Sequence, residues 1–286
     1  MKIPFQRIAV IGLGLIGGSL VKSFRRSAPE CKLVGVDSRD VLVAAREYLN
    51  EAHTPENLAA AVHDADLVFL ATPINTILQQ LPEVAHSIHS GAVVTDVGST
   101  KSLIIAEAQK HFTGERFFIG GHPLAGREKG GWENARADLF DKAAYVLTPQ
   151  SNFPAHLFEA LTQLLQTLGA RVIKLDPVAH DRLVADISHL PQLLAVALMN
   201  FAARENAPAE LLLQLAGSGF RDMTRLAASP FAIWKDILDS NPQHIRQSLN
   251  EFILMLQNYV RDIDHADLEA HFRQANQLRE NLAARR

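Results

Sequence analysis

The chain has 286 residues, of which 48% are hydrophobic and 21% charged, and its formal net charge is −3. This composition excludes an intrinsically disordered chain. The slightly acidic net charge argues against nucleic acids and anionic membranes as partners, because both bind to basic protein surfaces. A single cysteine, Cys31, excludes an intramolecular disulfide and an all-cysteine zinc site, and it indicates a reducing, cytoplasmic setting.

The N-terminal apolar run, residues 8–16, predicts a buried strand rather than a targeting or membrane-spanning segment. Glycines interrupt it, and it is shorter than the roughly 20 residues that a spanning helix needs. We therefore predict no membrane-spanning segment.

Up to about residue 175 the sequence alternates short β-branched runs with helical stretches, which predicts βαβ units around a mostly parallel sheet. The predicted strands are Arg7 to Ile11, Leu33 to Val36, Leu67 to Ala71, Ala92 to Thr95, Phe117 to Ile119, Tyr145 to Leu147 and Arg171 to Leu175. The predicted helices are Ile16 to Arg26, Val41 to Leu49, Ile74 to Ile88, Ser102 to Lys110 and Ala155 to Leu168. The fold class is an N-terminal Rossmann-type, doubly wound α/β sheet.

After Asp176 and Pro177, an N-cap followed by a proline in the first helical turn, the pattern becomes all-helical. The apolar run 187–201 predicts a helix that is buried on most sides and kinked at Pro191. Two further apolar stripes run from Ile245 to Ile263 and from Leu268 to Leu282. We divide the chain into a dinucleotide-binding domain, residues 1–175, and an all-α domain, residues 176–286, whose core a partner subunit is expected to complete.

The first predicted strand leads into a GxGxxG turn, in which each glycine has a mechanical role. Gly12 permits the tight turn, Gly14 lets the backbone approach a pyrophosphate, and Gly17 lets the helix pack close to the strand. Asp37 ends the second strand, where a carboxylate can accept hydrogen bonds from ribose hydroxyls and disfavours a 2′-phosphate. The pattern predicts NAD, while Arg39 leaves NADP open; the alternative is a purely structural turn with Asp37 capping the next helix.

Two later turns, Ala71-Thr72-Pro73 and the segment 96–101, follow predicted strands and should border the nicotinamide, since ligands of open α/β sheets bind at the carboxyl ends of strands. The residues expected at the cofactor are Gly12, Gly14, Leu15, Ile16, Gly17, Asp37, Ser38, Arg39, Thr72, Pro73 and Ser99.

His122 lies on a glycine-flanked turn after another predicted strand. Oxidation of an alcohol needs a base for the hydroxyl proton, and histidine has a pKa near neutral pH. We take His122 as the candidate base; the alternative is a turn histidine that satisfies local backbone groups.

The helical domain carries a second set of candidates. His180, Asp186 and His189 follow one another along one predicted helix, and Arg225 follows a flexible turn that could aim its guanidinium at a carboxylate. For a single arginine, a salt bridge or solvated surface is the alternative. The sequence has no GxSxG, Walker-type or HExxH motif, and we predict no metal site.

Taken together, five segments resemble the prephenate dehydrogenase family, which includes arogenate and dual-specificity cyclohexadienyl dehydrogenases. They are VIGLGLIGGS, DVGSTK, GGHPLAGREKGG, ISHLPQ and GFRDMTRLA, and they span nearly the whole chain. The resemblance implies a Rossmann domain, a helical dimerisation domain, an active site between them, and a homodimer. It also implies NAD-dependent oxidative decarboxylation of prephenate to 4-hydroxyphenylpyruvate, or of arogenate to tyrosine, in tyrosine biosynthesis.

By resemblance, His122 accepts the proton of the ring C4 hydroxyl, Ser99 hydrogen-bonds the same oxygen, and Arg225 binds the ring carboxylate. Hydride leaves C4 for the nicotinamide, and the ring becomes aromatic as CO2 departs. The resemblance also implies a gating or polar role for Glu128, a position near the site for His180, and a reach into the neighbouring subunit's pocket for Trp234.

The sequence departs from the family at ISHLPQ. Many members have SHLPH, whose last histidine contacts the substrate side-chain carboxylate, whereas this chain has Gln192 after Ser188 and His189. The neutral amide leaves prephenate, arogenate or both as substrates. Regulation by tyrosine would act at the active site, since no regulatory segment is expected.

Two other functions remain in competition. A β-hydroxyacid dehydrogenase has the same two-domain plan but normally uses a helix-borne lysine, and Lys235 is the single lysine after Asp176. A non-catalytic dinucleotide-binding sensor would need none of Ser99, His122 and Arg225.

Overall fold

The computed structural model describes residues 5–126, 129–204, 209–263 and 267–284. Its single eight-stranded sheet has the order β3-β2-β1-β4-β5-β6-β7-β8, and all neighbouring pairs are parallel except β6 and β7. The strands are β1 Arg7–Ile11, β2 Lys32–Val36, β3 Glu51–His53, β4 Leu67–Leu70, β5 Val93–Asp96, β6 Phe117–Pro123, β7 Ala144–Thr148 and β8 Arg171–Lys174. The predicted doubly wound fold is confirmed, and the sequence missed only β3 among these strands.

Helices cover both faces of this sheet. They are α1 Leu15–Ser27, α2 Arg39–Ala45, α3 Leu58–Val62, α4 Ile74–Ser87, α5 Ser102–His111 and α6 Ala155–Thr167. Side chains of α1 and α6 pack on one face, and those of α3, α4 and α5 pack on the other. Both faces are apolar, which explains why the central strands are almost continuously hydrophobic.

The described residues after β8 are mostly helical, as predicted. Its elements are α7 Pro177–Val184, a π turn Ala185–His189, α8 Leu190–Ala202, α9 Ala209–Leu215, α10 Ser218–Thr224, α11 Phe231–Ser240, α12 Pro242–Arg261 and α13 Asp267–Ala284. Asp176 caps α7 by accepting hydrogen bonds from the backbone N–H groups of Val178 (2.9 Å) and Ala179 (3.1 Å). The second apolar cluster of the sheet continues into this region through Ala185, Ile237 and Ile245.

The long helix formed by α7, the π turn and α8 is less buried than the sequence predicts. Only a third of its most apolar window is buried, and Ile187 and Phe201 are mostly exposed. By length and composition alone, Pro177–Ala202 is also able to cross a membrane, a property shared by core helices of soluble proteins. The expected burial on most sides is therefore wrong for the single chain, because no element of the described residues covers this face.

Helices α12 and α13 also carry exposed apolar side chains. Large side chains such as Leu254, Val260, Phe272 and Leu278 are more than half exposed. Apolar patches of this extent in a folded chain typically mark surfaces of association.

Candidate active site

The glycine-rich turn lies at the switch point of the sheet, between the carboxyl ends of β1 and β4. Gly12 adopts φ +89°, and a Cβ there would lie 2.8 Å from the Ala71 backbone. A Cβ on Gly17 would lie 1.8 Å from the Gly12 carbonyl oxygen, so the close approach of α1 to β1 requires glycine. No atom outside the local chain lies within 4 Å of a Cβ built on Gly14, which leaves room for a ligand at the N-terminus of α1.

Asp37 is tied to this turn. Its Oδ2 accepts a hydrogen bond from the Leu13 N–H (2.6 Å), and its Oδ1 accepts one from the Ser38 N–H (2.6 Å). Each carboxylate oxygen can accept more than one hydrogen bond, so ribose hydroxyls can still be recognised there. Ser38 occupies the N-cap position of α2 without a side-chain capping hydrogen bond, and Arg39 is the first residue of that helix; both are exposed.

A cleft of about 390 Å³ runs along the carboxyl ends of β1, β4 and β5. Its walls include six of the predicted cofactor residues, namely Gly14, Leu15, Ile16, Thr72, Pro73 and Ser99. The opposite wall comes from α11 and includes Ile233 and Asp236, which the sequence did not indicate. Asp236 accepts hydrogen bonds from the backbone N–H and side-chain amide of Asn75 (3.1 and 2.6 Å), so α11 is held against the start of α4.

His122 lies near the end of β6 and is 8% exposed. Its Nδ1 is 2.8 Å from His180 Nε2, and the Nδ1 of His180 is 2.8 Å from Oδ1 of Asp181. Burial lowers the pKa of His122 well below its usual value, which keeps the ring neutral and able to accept a proton.

Asp181 was not singled out from the sequence. Besides contacting His180, its carboxylate accepts hydrogen bonds from the backbone N–H groups of Lys101 (2.7 Å) and Ser102 (2.8 Å), at the start of α5. Burial opposes its ionisation, but these hydrogen bonds outweigh burial and lower the pKa of Asp181.

A buried ion pair lies behind the two candidate catalytic residues. Lys101 donates to the Asp96 carboxylate and to the Gly121 carbonyl oxygen (2.7 Å). Asp96 in turn accepts from the N–H groups of Gly98 (2.8 Å) and Gly121 (3.1 Å). The pair therefore fixes the backbone immediately before both Ser99 and His122.

A second cavity, of about 680 Å³, is lined by Gln192, Arg225 and Trp234, and also by Lys129. Gln192 Nε2 donates to the Leu226 carbonyl oxygen (2.9 Å), while its Oε1 is buried without a hydrogen-bond partner among the described residues. Two cationic side chains in one cavity suit an anionic substrate. Lys129 lies within the segment GGHPLAGREKGG, but roles were predicted there only for His122 and Glu128.

The other candidates are placed as follows. His189 is buried against the edge of the Trp234 ring, with ring centroids 6.0 Å apart, and Ser188 is half-buried in the π turn. Trp234 lines the cavity of its own chain. Glu128 lies outside the described residues. Among the described residues, no group of three His, Cys, Asp or Glu side chains is arranged to hold a metal ion.

Comparison with known proteins gives a consistent result over nearly the whole chain. The family model "Prephenate dehydrogenase, nucleotide-binding domain" matches residues 20–174, and "Prephenate dehydrogenase, dimerization domain" matches residues 176–280. Prephenate dehydrogenase of Bacillus subtilis is 34% identical over 97% of this chain and 76% of its own length. Cyclohexadienyl dehydrogenase of Zymomonas mobilis is 28% identical over 96% of this chain and 95% of its own length.

Solved structures are similar over the same extent. The crystal structure of Synechocystis arogenate dehydrogenase has a TM-score of 0.84 and 33% identity, and the match covers 96% of this chain and 99% of that one. Prephenate dehydrogenase from A. aeolicus, in complex with hydroxyphenyl propionate and NAD+, has a TM-score of 0.86 and 27% identity, and the match covers 100% of this chain and 99% of that one.

Proposed function

Because this chain belongs to the prephenate dehydrogenase family, we propose that it oxidatively decarboxylates prephenate to 4-hydroxyphenylpyruvate, or arogenate to tyrosine, with NAD as cofactor. The observation that carries the proposal is the buried, neutral His122, held by His180 at the sheet edge where the Ser99 turn lies. A non-catalytic sensor would not need a buried base there.

The residues of the cleft fit NAD. The open helix N-terminus at Gly14 would bind the pyrophosphate and Asp37, at the end of β2, would bind the ribose, while Ser99, Thr72 and Pro73, which line the cleft, would border the nicotinamide. When bound, NAD supplies the acceptor for the hydride that leaves ring C4.

The chain's own residues then act on the substrate. His122 accepts the proton of the C4 hydroxyl, and Ser99 hydrogen-bonds the same oxygen. Arg225 binds the ring carboxylate in the second cavity, and Gln192, which lines the same cavity with Trp234, faces the substrate side chain. Loss of that carboxylate as CO2 makes the ring aromatic, so the reaction is effectively irreversible.

The direct test mixes the purified protein with each substrate and NAD and follows reduced cofactor by absorbance. Turnover is expected with prephenate, arogenate or both, and no turnover with either refutes the proposal.

His122→Asn should lower turnover by about 10²–10⁴-fold, as expected for loss of a general base, with little change in NAD affinity. The matched control is His63→Asn, which replaces an exposed histidine that is distant from His122 in the sequence. If His122→Asn instead abolishes NAD binding, His122 is structural.

We further propose that the enzyme is a cytoplasmic homodimer with its domain boundary at residue 175. The exposed apolar side chains of α8, α12 and α13 support pairing of the helical domains, since burying such surface is the main driving force of association. Sedimentation at micromolar concentration should show a dimer, and a monomer there contradicts this part of the proposal.

A further inference from the structure

Three buried side chains form a continuous hydrogen-bonded chain that ends at the candidate base. Asp181 Oδ1 lies 2.8 Å from His180 Nδ1, and His180 Nε2 lies 2.8 Å from His122 Nδ1. Asp181 and His180 are each 1% exposed and His122 is 8% exposed, so water does not compete for these contacts. The two imidazole rings meet at 77°, edge to face.

The donor in each contact can be worked out from the Asp181 end. The Asp181 carboxylate already accepts two backbone N–H groups, from Lys101 and Ser102, and therefore acts as an ionised acceptor. An ionised carboxylate can only accept, so the proton of the first contact is on His180 Nδ1. In a neutral His180 ring the Nε2 is then bare and must accept, which places the donor of the second contact on His122 Nδ1.

We infer that Asp181 and His180 are positioning residues that keep the proton of His122 on Nδ1 and so leave its Nε2 free to accept the hydroxyl proton of the substrate. The inference rests on the proposed function, in which His122 is the base. The opposite arrangement would direct the bare nitrogen of His122 toward His180, where the substrate cannot use it.

The same chain accounts for the charge that forms during proton transfer. The O–H bond of the substrate breaks as its proton moves to His122 Nε2, and the ring becomes an imidazolium that still donates from Nδ1 to His180. The Asp181 carboxylate at the far end stabilises this positive charge through His180. Release of the proton to water restores the neutral base.

The first experiment needs no substitution. The wild-type holoenzyme with NAD is labelled with ¹⁵N-histidine, and two-bond ¹H–¹⁵N spectra report which ring nitrogen carries the proton. His122→Asn identifies the His122 signals by their loss. We expect a protonated Nδ1 and a bare Nε2 on His122; a proton on Nε2 overturns the inference whether or not the enzyme turns over either substrate.

The second experiment compares His180→Leu with His180→Gln. Leucine removes the acceptor for His122 Nδ1, and kcat should fall by about 10²–10⁴-fold, the range that general acid–base catalysis contributes. Glutamine offers an amide oxygen as acceptor, so kcat of His180→Gln should be at least about tenfold higher than kcat of His180→Leu. The KM for the substrate should change little in both variants. Equal kcat in the two variants, or an effect confined to KM, overturns the inference.

Asp181→Asn tests the far end of the chain against a matched control. It should lower kcat and yield a mixture of His122 tautomers, whereas Asp64→Asn, at a carboxylate whose side chain is 76% exposed, should change neither. An Asp181→Asn enzyme with wild-type kcat and a single tautomer refutes the role of Asp181. Inactivity of the wild type on both substrates would refute the proposed function, yet the tautomer of His122 would still be measured.

Discussion

The buried ion pair of Asp96 and Lys101 allows a prediction of stability with a defined magnitude. Both side chains are fully buried, and Lys101 also donates to the Gly121 carbonyl oxygen. Lys101→Met keeps a similar volume but leaves Asp96 with only the N–H groups of Gly98 and Gly121 as donors. Removing one partner of a buried pair costs about 3–5 kcal/mol, so the free energy of unfolding should fall by that amount.

Urea unfolding at neutral pH, followed by circular dichroism, measures this loss directly. At about 2–4 °C per kcal/mol, the melting temperature should fall by about 6–20 °C. The double variant Asp96→Asn/Lys101→Met removes the unpaired charge and should recover part of the loss. Lys235→Met breaks an exposed i, i+4 pair with Asp239 and serves as the control. If Lys101→Met is no less stable than this control, the pair is not what fixes the Gly121 backbone.

Three further predictions concern pH, substrate and cofactor. Burial lowers the pKa of His189 to about 4, whereas in the unfolded chain this pKa is near 6.5. Between these pH values the unfolded chain binds the proton and the folded chain does not, so the free energy of unfolding should fall by up to about 3 kcal/mol from pH 6.5 to pH 4. Urea titrations at both pH values measure this, and an equally steep fall in His189→Gln contradicts it. Gln192→His should raise the ratio of kcat/KM for prephenate over arogenate about tenfold, because a protonated imidazole would bind the pyruvyl carboxylate more strongly than a neutral amide and would repel the ammonium of arogenate. An unchanged ratio argues against this role. Asp37→Ser should weaken NAD binding about 10–100-fold, the loss expected for hydrogen bonds to a charged group, and weaken NADP binding less; calorimetry of both cofactors tests it, and equal losses contradict it.

The sheet could be predicted from the sequence because its central strands are short, apolar and covered on both faces. β3 escaped prediction since it has only three residues, lies at the sheet edge and pairs with β2 alone. Its residues, Glu51 to His53, are exposed or half-buried, so hydrophobicity carries no signal there.

The parts of the site that depend on tertiary contacts could not be predicted in the same way. His122 and His180 were identified separately, but 58 residues separate them, and only the packing of α7 on α5 brings their rings together. Lys101 lies in a motif that was noted, yet nothing in the sequence shows that it is fully buried, since lysine is almost never buried unless it is paired.

The π turn between α7 and α8 decides which side chains share one side of the long helix. A π turn accommodates one more residue than an α turn. His189 follows His180 by nine residues. In an unbroken α-helix, which turns about 100° per residue, the two side chains would point about 180° apart. Because the π turn absorbs one residue, the angle between them is about 80°. Both rings can then be buried in the same interior, as observed. If the same residues were wound as a regular α-helix, every later side chain of α8, including Gln192, would be turned by about 100° around the helix axis relative to His180. The π turn therefore sets the alignment between the base and the substrate cavity.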